Sequence, residues 1–254
     1  MNIQGFWEKA RTEVSEAIFP SNIYCMSCGS LIDRTRPYSL CDRCMKKLHW
    51  IGTHTCEKCG KALPDKYRGS LCYDCRTYDH VFEKGYSCMT YGLYERELLF
   101  DYKYNGKGYM YEKFGDILYD RISCEDVPAD VIIPVPVGKK RLAQRGYDQA
   151  ALMAGRLSKR WGVPMDDGIL FRSRETPLLR SLNPVEREAV LDGAFSVRGP
   201  AKERLRGKSV LLVDDIYTTG ATADACSRTL KAAGADKIFL LTLASGGNRK
   251  PNMK

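Results

Sequence analysis

The stretch Val210–Thr222 reads VLLVDDIYTTGAT and decides the fold that we expect for this chain. Its four aliphatic residues, Val210–Val213, are typical of a strand buried on both faces of a parallel sheet. Asp214 and Asp215 follow where that strand is expected to end, and small and hydroxyl residues then open a helix that runs to Lys231. The sequence therefore predicts an α/β domain centred on a strand, a turn and a helix.

The turn between this strand and helix has the chemistry of an anion site. Its residues are Thr218, Thr219, Gly220, Ala221 and Thr222. Backbone N–H groups at a helix N-terminus lack partners within the helix, the helix dipole is positive there, and Gly220 lets the chain approach a phosphate closely. The carboxylates of Asp214 and Asp215 suit two adjacent hydroxyls, or a Mg²⁺ held with water and phosphate. Together these features predict a phosphorylated ribose as the ligand.

The same stretch resembles the signature of the type I phosphoribosyltransferases, which has four apolar residues, two acids, two spacers and Thr-Thr-Gly-Ala-Thr. The resemblance implies binding of phosphoribosyl pyrophosphate (PRPP) with Mg²⁺. It assigns the ribose hydroxyls to Asp214 and Asp215, as catalytic residues, and the 5′-phosphate to Thr218–Thr222. The alternative is an ordinary strand, turn and helix whose acids only cap the helix, which a match at every position disfavours.

A second pattern is a repeated pair of C-x-x-C motifs. It gives two sets of four cysteines with the same internal spacing: Cys25, Cys28, Cys41 and Cys44, then Cys56, Cys59, Cys72 and Cys75. Two C-x-x-C turns supply four thiolates for a tetrahedral Zn²⁺ site. We expect two structural Zn²⁺ ions, one for each set, while an interleaved pairing stays open. Disulfides are disfavoured because Met1–Pro20 does not read as an export signal.

A third pattern is the segment Asp130–Gln149. A buried strand over Val131–Ile133 ends in Pro134-Val135-Pro136, a basic loop follows, and a helix is expected from Tyr147 to Arg160. Ligand groups in open parallel sheets gather at the carboxyl ends of the strands, and clustered Lys and Arg there suit pyrophosphate. The Pro-x-Pro also resembles the pyrophosphate-loop entry of glutamine amidophosphoribosyltransferases. The predicted contacts are Val135, Lys139, Lys140, Arg141 and Arg145.

Residues 172–190 contain four arginines and show no steady period, which predicts a long loop. Resemblance to the phosphoribosyltransferases implies that such a loop closes over the pyrophosphate, with roles for Arg174 and Arg187. A basic loop that contacts DNA, or one that contacts nothing, remains open.

Residues 81–120 are expected to join the ribbons to the sheet. Val81, Phe82 and three tyrosines, Tyr86, Tyr91 and Tyr94, predict short strands at the end of the ribbon. Helices are expected over Glu95–Tyr104 and Tyr111–Ile122. The aromatic and basic cluster Tyr102–Tyr109 could stack on a nucleic acid strand. A helical cap on the sheet is the favoured alternative.

The order of these parts resembles the ComF family over most of the chain, from about Cys25 to Ser245. The resemblance rests on the double ribbon, the Pro-x-Pro, the run Arg141–Gln149 and the PRPP signature. It implies a type I phosphoribosyltransferase-like parallel sheet flanked by helices, with an N-terminal double zinc ribbon, and an association with natural competence. Two departures occur. The run Tyr147-Asp148-Gln149 replaces the Phe-Asn-Gln common in the family, and Val190 replaces an asparagine whose polar role is lost.

We expect four parts in the chain: a helix over 1–20, a double zinc ribbon over 21–80, connecting strands and a helical cap over 81–120, and a phosphoribosyltransferase-like domain over 121–247. The net charge of +9 favours polyanionic ligands such as pyrophosphate or nucleic acid. No run of about 18 apolar residues is present, so we expect no membrane span and a cytoplasmic location.

Two functions stay open at this stage. In the first, the chain binds PRPP with Mg²⁺ as an accessory of DNA uptake, with single-stranded DNA, or a DNA-uptake helicase or other protein at the zinc ribbon, as a partner. In the second, it is a phosphoribosyltransferase of nucleotide metabolism that displaces pyrophosphate from C1 of the ribose with a nitrogen nucleophile. A pocket for the acceptor would separate them, and we identify none in the sequence.

Overall fold

The structure is a computed structural model that describes residues 22–177 and 184–248, the side chains of Pro184 and Val185 excepted. The helix predicted over 1–20 and the middle of the predicted arginine-rich loop lie outside the described residues. The chain divides into two compact units, Met1–Leu48 and His49–Lys254.

The first unit contains the first set of cysteines. Its described elements are a 3₁₀ turn over Pro37–Ser39 and the short helix α1 (Asp42–Lys47). The apolar residues buried in its described part are few: Cys25, Met26, Leu40, Cys44 and Leu48. So small a core indicates that bound metal supplies much of the folding free energy of this ribbon.

The second unit holds the second set of cysteines and an α/β domain. Its strands are β1 (Lys84–Thr90), β2 (Val131–Pro134), β3 (Leu170–Arg172), β4 (Phe195–Val197), β5 (Ser209–Tyr217) and β6 (Lys237–Ser245). Its helices are α2 (Tyr73–Thr77), α3 (Leu93–Tyr104), α4 (Tyr111–Ile122), α5 (Lys139–Arg145), α6 (Gln149–Trp161), α7 (Pro184–Leu191), α8 (Ala201–Leu205) and α9 (Ala221–Ala232). A 3₁₀ turn over Gly108–Met110 precedes α4.

Four of the strands form one parallel sheet in the order β1-β6-β5-β2. The predicted buried strand is confirmed, because all four side chains of Val210–Val213 are fully buried. In the register of the sheet, Val213 lies between Pro134 of β2 and Leu241 of β6. The carboxyl ends of β2 and β5 are therefore neighbours. The polar segments that follow these two strands thus start at the same edge of the sheet.

Helices cover the sheet and complete the predicted fold class. Helix α4 packs against β1 and β6, α6 against β2 and β5, and α9 against β6. A two-pronged ion pair between Arg156 and Asp116 joins α6 to α4. The predicted helices over Glu95–Tyr104 and Tyr111–Ile122 are confirmed by α3 and α4.

Three local predictions are wrong. The short strands assigned to the end of the ribbon are one strand, β1, which joins the central sheet at its edge because its interior residues are buried on both faces. The basic segment after β2 is helical from Lys139, as α5. The end of the predicted loop over 172–190 is helical, as α7. Strand β4, which follows α7, pairs antiparallel with β3, which lies where the predicted loop begins.

Candidate functional site

The acidic pair lies within β5, which continues to Tyr217 beyond the predicted end of the strand. The Asp215 N–H donates to Asp214 Oδ1 at 2.8 Å, which orients the Asp214 carboxyl against the backbone. Asp214 also lines a small pocket of about 20 Å³. The lining of this pocket is Asp214, Ile216, Tyr217, Thr218, Gly220, Thr222, Ala223, Leu240 and Thr242. The lining of this pocket thus combines a carboxyl group with hydroxyl groups and loop backbone.

The phosphate loop, Thr218–Thr222, turns directly from β5 into α9. Gly220 caps the helix with φ of 90°, a conformation that favours glycine. The Thr219 Oγ1 atom is buried and has no hydrogen-bond partner in the part of the chain that the structure describes. An unsatisfied buried hydroxyl is costly unless a ligand pairs with it. The loop therefore offers a side-chain donor as well as the N–H groups of a helix N-terminus.

One of the two aspartates forms an ion pair with a lysine that the sequence patterns did not single out as a site residue. Lys103, on α3, places its Nζ 2.6 Å from Asp215 Oδ2, and both side chains are mostly buried, at 14% and 17% exposure. The sequence grouped Lys103 with a surface cluster because nothing local distinguishes it from Lys107. Only the packing of α3 brings it to the carboxyl end of β5.

The surroundings of Asp214 change its acidity. Exclusion of water raises the pKa of its carboxyl to about 8, and the charges of Asp215 and Asp148 add to the rise. The Lys103 ammonium opposes this by lowering the same pKa. Because this pKa is raised, a ligand that needs the charged carboxylate of Asp214 competes with a proton for it.

The basic residues after β2 divide by position. The Val135 N–H donates to the Val213 carbonyl at 2.8 Å, which places the Pro-x-Pro beside the acidic strand. Lys139 and Lys140 are exposed on the first turn of α5, with Arg141 partly buried next to them. Arg145, at the last turn, instead donates to the Tyr104 hydroxyl at 2.8 Å.

The predicted arginines of the closing segment also have different surroundings. The Arg187 Nη1 lies 3.3 Å from Thr218 Oγ1, so α7 does bring one arginine to the phosphate loop. Arg174 donates to the carbonyl groups of Val190 and Asp192, which ties it to the end of α7. Arg172, which the sequence does not distinguish from the other arginines of this segment, is partly buried, and burial and the Arg141 charge lower the pKa of its guanidinium.

The two sets of cysteines each close on themselves. Within each set the four Sγ atoms lie within 4.8 Å of one another, so the metal sites form within each repeat and are not interleaved. Backbone N–H groups point at the sulfurs, with Cys41 N 3.4 Å from Cys25 Sγ and Cys72 N 3.2 Å from Cys56 Sγ. Four thiolates in this arrangement fit tetrahedral Zn²⁺. Gly29 and Gly60 each follow the first C-x-x-C pair of a set, and both have a positive φ, 71° and 72°, which favours glycine.

Known protein families match both the cysteine-rich part and the α/β part of the chain. The double zinc ribbon domain matches residues 14–76, and the phosphoribosyl transferase domain matches residues 147–253. Competence protein F of Haemophilus influenzae is 27% identical over 230 residues, covering 88% of this chain and 97% of that protein. Competence protein ComFC of Bacillus subtilis is 26% identical over 215 residues, covering 80% and 83%. The resemblance to the ComF family is confirmed.

A further relative of this ComF-like chain matches less than half of it. DNA utilization protein YhgH of Shigella flexneri is 30% identical over 109 residues, which are 43% of this chain and 46% of that protein. None of the helices that the structure describes is long and apolar enough to cross a bilayer.

The first departure from the ComF pattern, at Tyr147 and Asp148, has structural roles. The Tyr147 hydroxyl, which a phenylalanine lacks, donates to the Tyr102 carbonyl. Asp148 caps α6 by accepting from the Ala151 N–H at 3.1 Å, and it also accepts from the Val137 N–H at 3.1 Å. Burial raises the pKa of its carboxyl. Asp148 thus joins the end of the basic segment to the start of α6.

The aromatic cluster proposed for nucleic acid needs a correction. Tyr102 is fully buried, packs edge-on against Phe114 at 4.9 Å, and donates to the Gln149 carbonyl, so it cannot stack on a base. Tyr104 and Tyr109 are exposed, at 46% and 63%. The reason is helical geometry, since α3 turns Tyr102 toward the core and Tyr104 away from it.

Proposed function

We propose that this chain binds PRPP with Mg²⁺ at the carboxyl end of β5 and acts as an accessory factor in DNA uptake. The observation that carries the proposal is that Asp214 and three residues of the phosphate loop, Thr218, Gly220 and Thr222, line the same pocket. A ribose 5-phosphate presents vicinal hydroxyls, which suit carboxylates, and a phosphate, which suits the N–H groups of a helix N-terminus.

The residues divide the ligand between them. Asp214 and Asp215 would accept hydrogen bonds from the ribose hydroxyls, and the loop N–H groups with Thr219 would hold the 5′-phosphate. Bound Mg²⁺ would neutralise the pyrophosphate charge. Lys139, Lys140 and Arg141, which follow the end of β2, would supply further positive charge for that group, and Arg187 lies 3.3 Å from Thr218.

The DNA-uptake part of the proposal draws on the relatives. Two of them are named as competence proteins and a third as a DNA utilization protein. Eight of the eleven cysteines lie in the two metal-binding sets, and cysteine pairs used for zinc rather than for disulfides are typical of a reducing compartment.

Single-stranded DNA is the partner that we propose for the exposed aromatic surface, defined by Phe100, Tyr104 and Tyr109. Phe100 and Tyr104 lie 5.0 Å apart between ring centroids, and the Arg145 guanidinium stacks 4.8 Å from the Tyr104 centroid. Exposed rings next to a cation are the parts of a stacking platform. The first ribbon exposes Tyr24 and Leu31, a surface better suited to a helicase or another protein.

Calorimetric titration with PRPP and Mg²⁺ tests the proposal. The parent protein should bind PRPP only with Mg²⁺, and Asp214→Ala or Asp215→Ala should weaken binding about tenfold or more, because each loses charged hydrogen bonds worth about 1.5–3 kcal/mol. Asp236→Ala, at an exposed position before β6, is the matched control. Equal binding by the parent and both acidic-pair variants would place the site elsewhere. Release of pyrophosphate with nitrogen acceptors in the same samples would instead favour the transferase.

A further inference from the structure

The second zinc ribbon is built into the core of the domain that carries the phosphate loop. Its cysteines Cys56, Cys59 and Cys72 belong to the same buried cluster as Phe82 and Tyr217. Its turn also packs backbone against backbone on β1: a Cβ added at Gly60 would lie 2.4 Å from the Gly85 carbonyl oxygen. The ribbon therefore cannot shift without moving its neighbours.

A buried lysine links the metal-binding turns to the end of β5. The Lys61 carbonyl accepts from the Cys56 N–H at 2.8 Å, and the Lys61 ammonium pairs with Asp74, which lies between Cys72 and Cys75. The Lys61 side chain is only 2% exposed, and its Nζ lies 5.3 Å from the centroid of the Tyr217 ring. A buried charge needs such partners, so its position fixes both Asp74 and the ring.

From Tyr217 the contacts continue through His80 into α9. The Tyr217 hydroxyl lies 3.2 Å from His80 Nε2, and His80 Nδ1 lies 2.7 Å from Asp224 Oδ2. The other oxygen of Asp224 accepts from the Val81 N–H at 2.9 Å. Because a carboxylate only accepts, Nδ1 donates to Asp224, and a neutral ring then accepts from the tyrosine at Nε2.

This buried set lies directly under the phosphate loop. A Cβ added at Gly220 would lie 2.5 Å from His80 Cε1 and 2.9 Å from the Tyr217 hydroxyl oxygen. Gly220 is also the cap of α9, and its carbonyl accepts from the Asp224 N–H at 2.8 Å. The imidazole is thus the surface on which the loop rests, with no room for a side chain between them.

We propose that His80 is a positioning residue for the phosphate loop and that the second zinc ribbon acts on the loop through Lys61, Tyr217 and His80. With the ribbon formed, the ring of His80 holds Gly220 and the first turn of α9 in the anion-binding conformation. The effect on ligand binding rests on the proposed PRPP site. The effect on the loop itself does not.

Two conservative variants test the linkage, and each has a matched control in the second zinc ribbon. Tyr217→Phe removes only the hydroxyl that contacts His80, and Tyr67→Phe removes a hydroxyl that donates within the ribbon to the Leu71 carbonyl. Lys61→Met removes the buried ammonium while keeping every cysteine, and Lys66→Met makes the same change at an exposed position. Backbone hydrogen exchange over 218–223 and the thermal midpoint are measured without ligand, and affinity for PRPP with Mg²⁺ is measured by calorimetry.

We expect Tyr217→Phe and Lys61→Met to raise exchange in the phosphate loop and to weaken PRPP about threefold to tenfold at temperatures where both remain folded. His80→Gln should act in the same direction, while His54→Gln, at an exposed position, and the two ribbon controls should match the parent. Folded Tyr217→Phe and Lys61→Met proteins with parental loop exchange would overturn the proposal. If the parent itself fails to bind PRPP, the proposed function fails, and the exchange comparison still decides the linkage.

Discussion

The ammonium of Lys103 lies 2.6 Å from a carboxylate oxygen of Asp215. The lysine and the aspartate come from α3 and β5, so the cap over the sheet and the acidic strand form one electrostatic unit. Lys107 has a different partner, Asp101, at 2.6 Å. The two lysines that a sequence reading treats alike therefore belong to different parts of the molecule.

Lys103→Met should weaken PRPP binding with Mg²⁺ at pH 7 by about tenfold. The Lys103 charge lowers the pKa of Asp214, and removal of a close opposite charge raises a carboxyl pKa by about one unit or more. Calorimetry at pH 7 and pH 9 should show the loss shrinking at the higher pH. Lys107→Met is the control, and an equal effect of both substitutions would contradict the assignment.

Asp214 should make both binding and stability depend on pH. PRPP affinity should rise with pH up to about 8, because the bound state uses the carboxylate and the free state holds a proton. For stability the sign is opposite: the folded pKa of about 8 exceeds the unfolded value of 3.8, so the folded state holds more protons between them and the free energy of unfolding falls as pH rises. Asp214→Asn removes this loss. The thermal midpoint of Asp214→Asn minus that of the parent should therefore increase from pH 5 to pH 8. A difference that stays constant over this range would show that the pKa of Asp214 is not raised.

Thr219→Val should have opposite effects on stability and on binding. The buried Oγ1 has no described partner, so its replacement by a methyl group should leave the free protein as stable as the parent or slightly more so. Loss of the phosphate donor should weaken PRPP about tenfold. Thermal unfolding without ligand and calorimetry with PRPP measure the two effects. A fall in both would mean that the hydroxyl has a structural role.

Two Zn²⁺ ions should bind per chain, one at each set of four cysteines, as metal analysis of purified protein can count. Cys56→Ser should destabilise the ribbon and the sheet together, because Cys56 belongs to the core of the second unit. Cys25→Ser should unfold its own ribbon and leave the thermal transition of His49–Lys254 in place. Protein without zinc, or with disulfides in its place, would refute both expectations.

Tyr109→Ala combined with Lys107→Ala should lower affinity for single-stranded DNA and reduce its salt dependence while sparing PRPP. Stacking contributes about 1–3 kcal/mol per base, and each lost phosphate contact reduces the salt slope. Fluorescence anisotropy at several salt concentrations measures both. Tyr102→Phe is the control because that ring is buried. No DNA binding by the parent at low salt would favour a protein partner instead.

What the sequence determined by itself is local. The strand Val210–Val213, the phosphate loop and the start of α9 are consecutive, so their order and residue types fix a strand end beside a helix N-terminus in any parallel sheet. The C-x-x-C pairs likewise predict metal turns from spacing alone. The helices α3 and α4 follow from their apolar periodicity.

What only the tertiary structure decided joins residues far apart in the chain. His80 and Asp224 are separated by 144 positions, and Lys103 meets Asp215 only because α3 packs over the end of β5. The strand β1 was assigned to the ribbon because a short aromatic run looks the same at a ribbon end or a sheet edge, until its pairing with β6 is seen. Local pattern specifies which side chains an element can present, whereas their partners depend on how separate elements pack, which no window of the sequence contains.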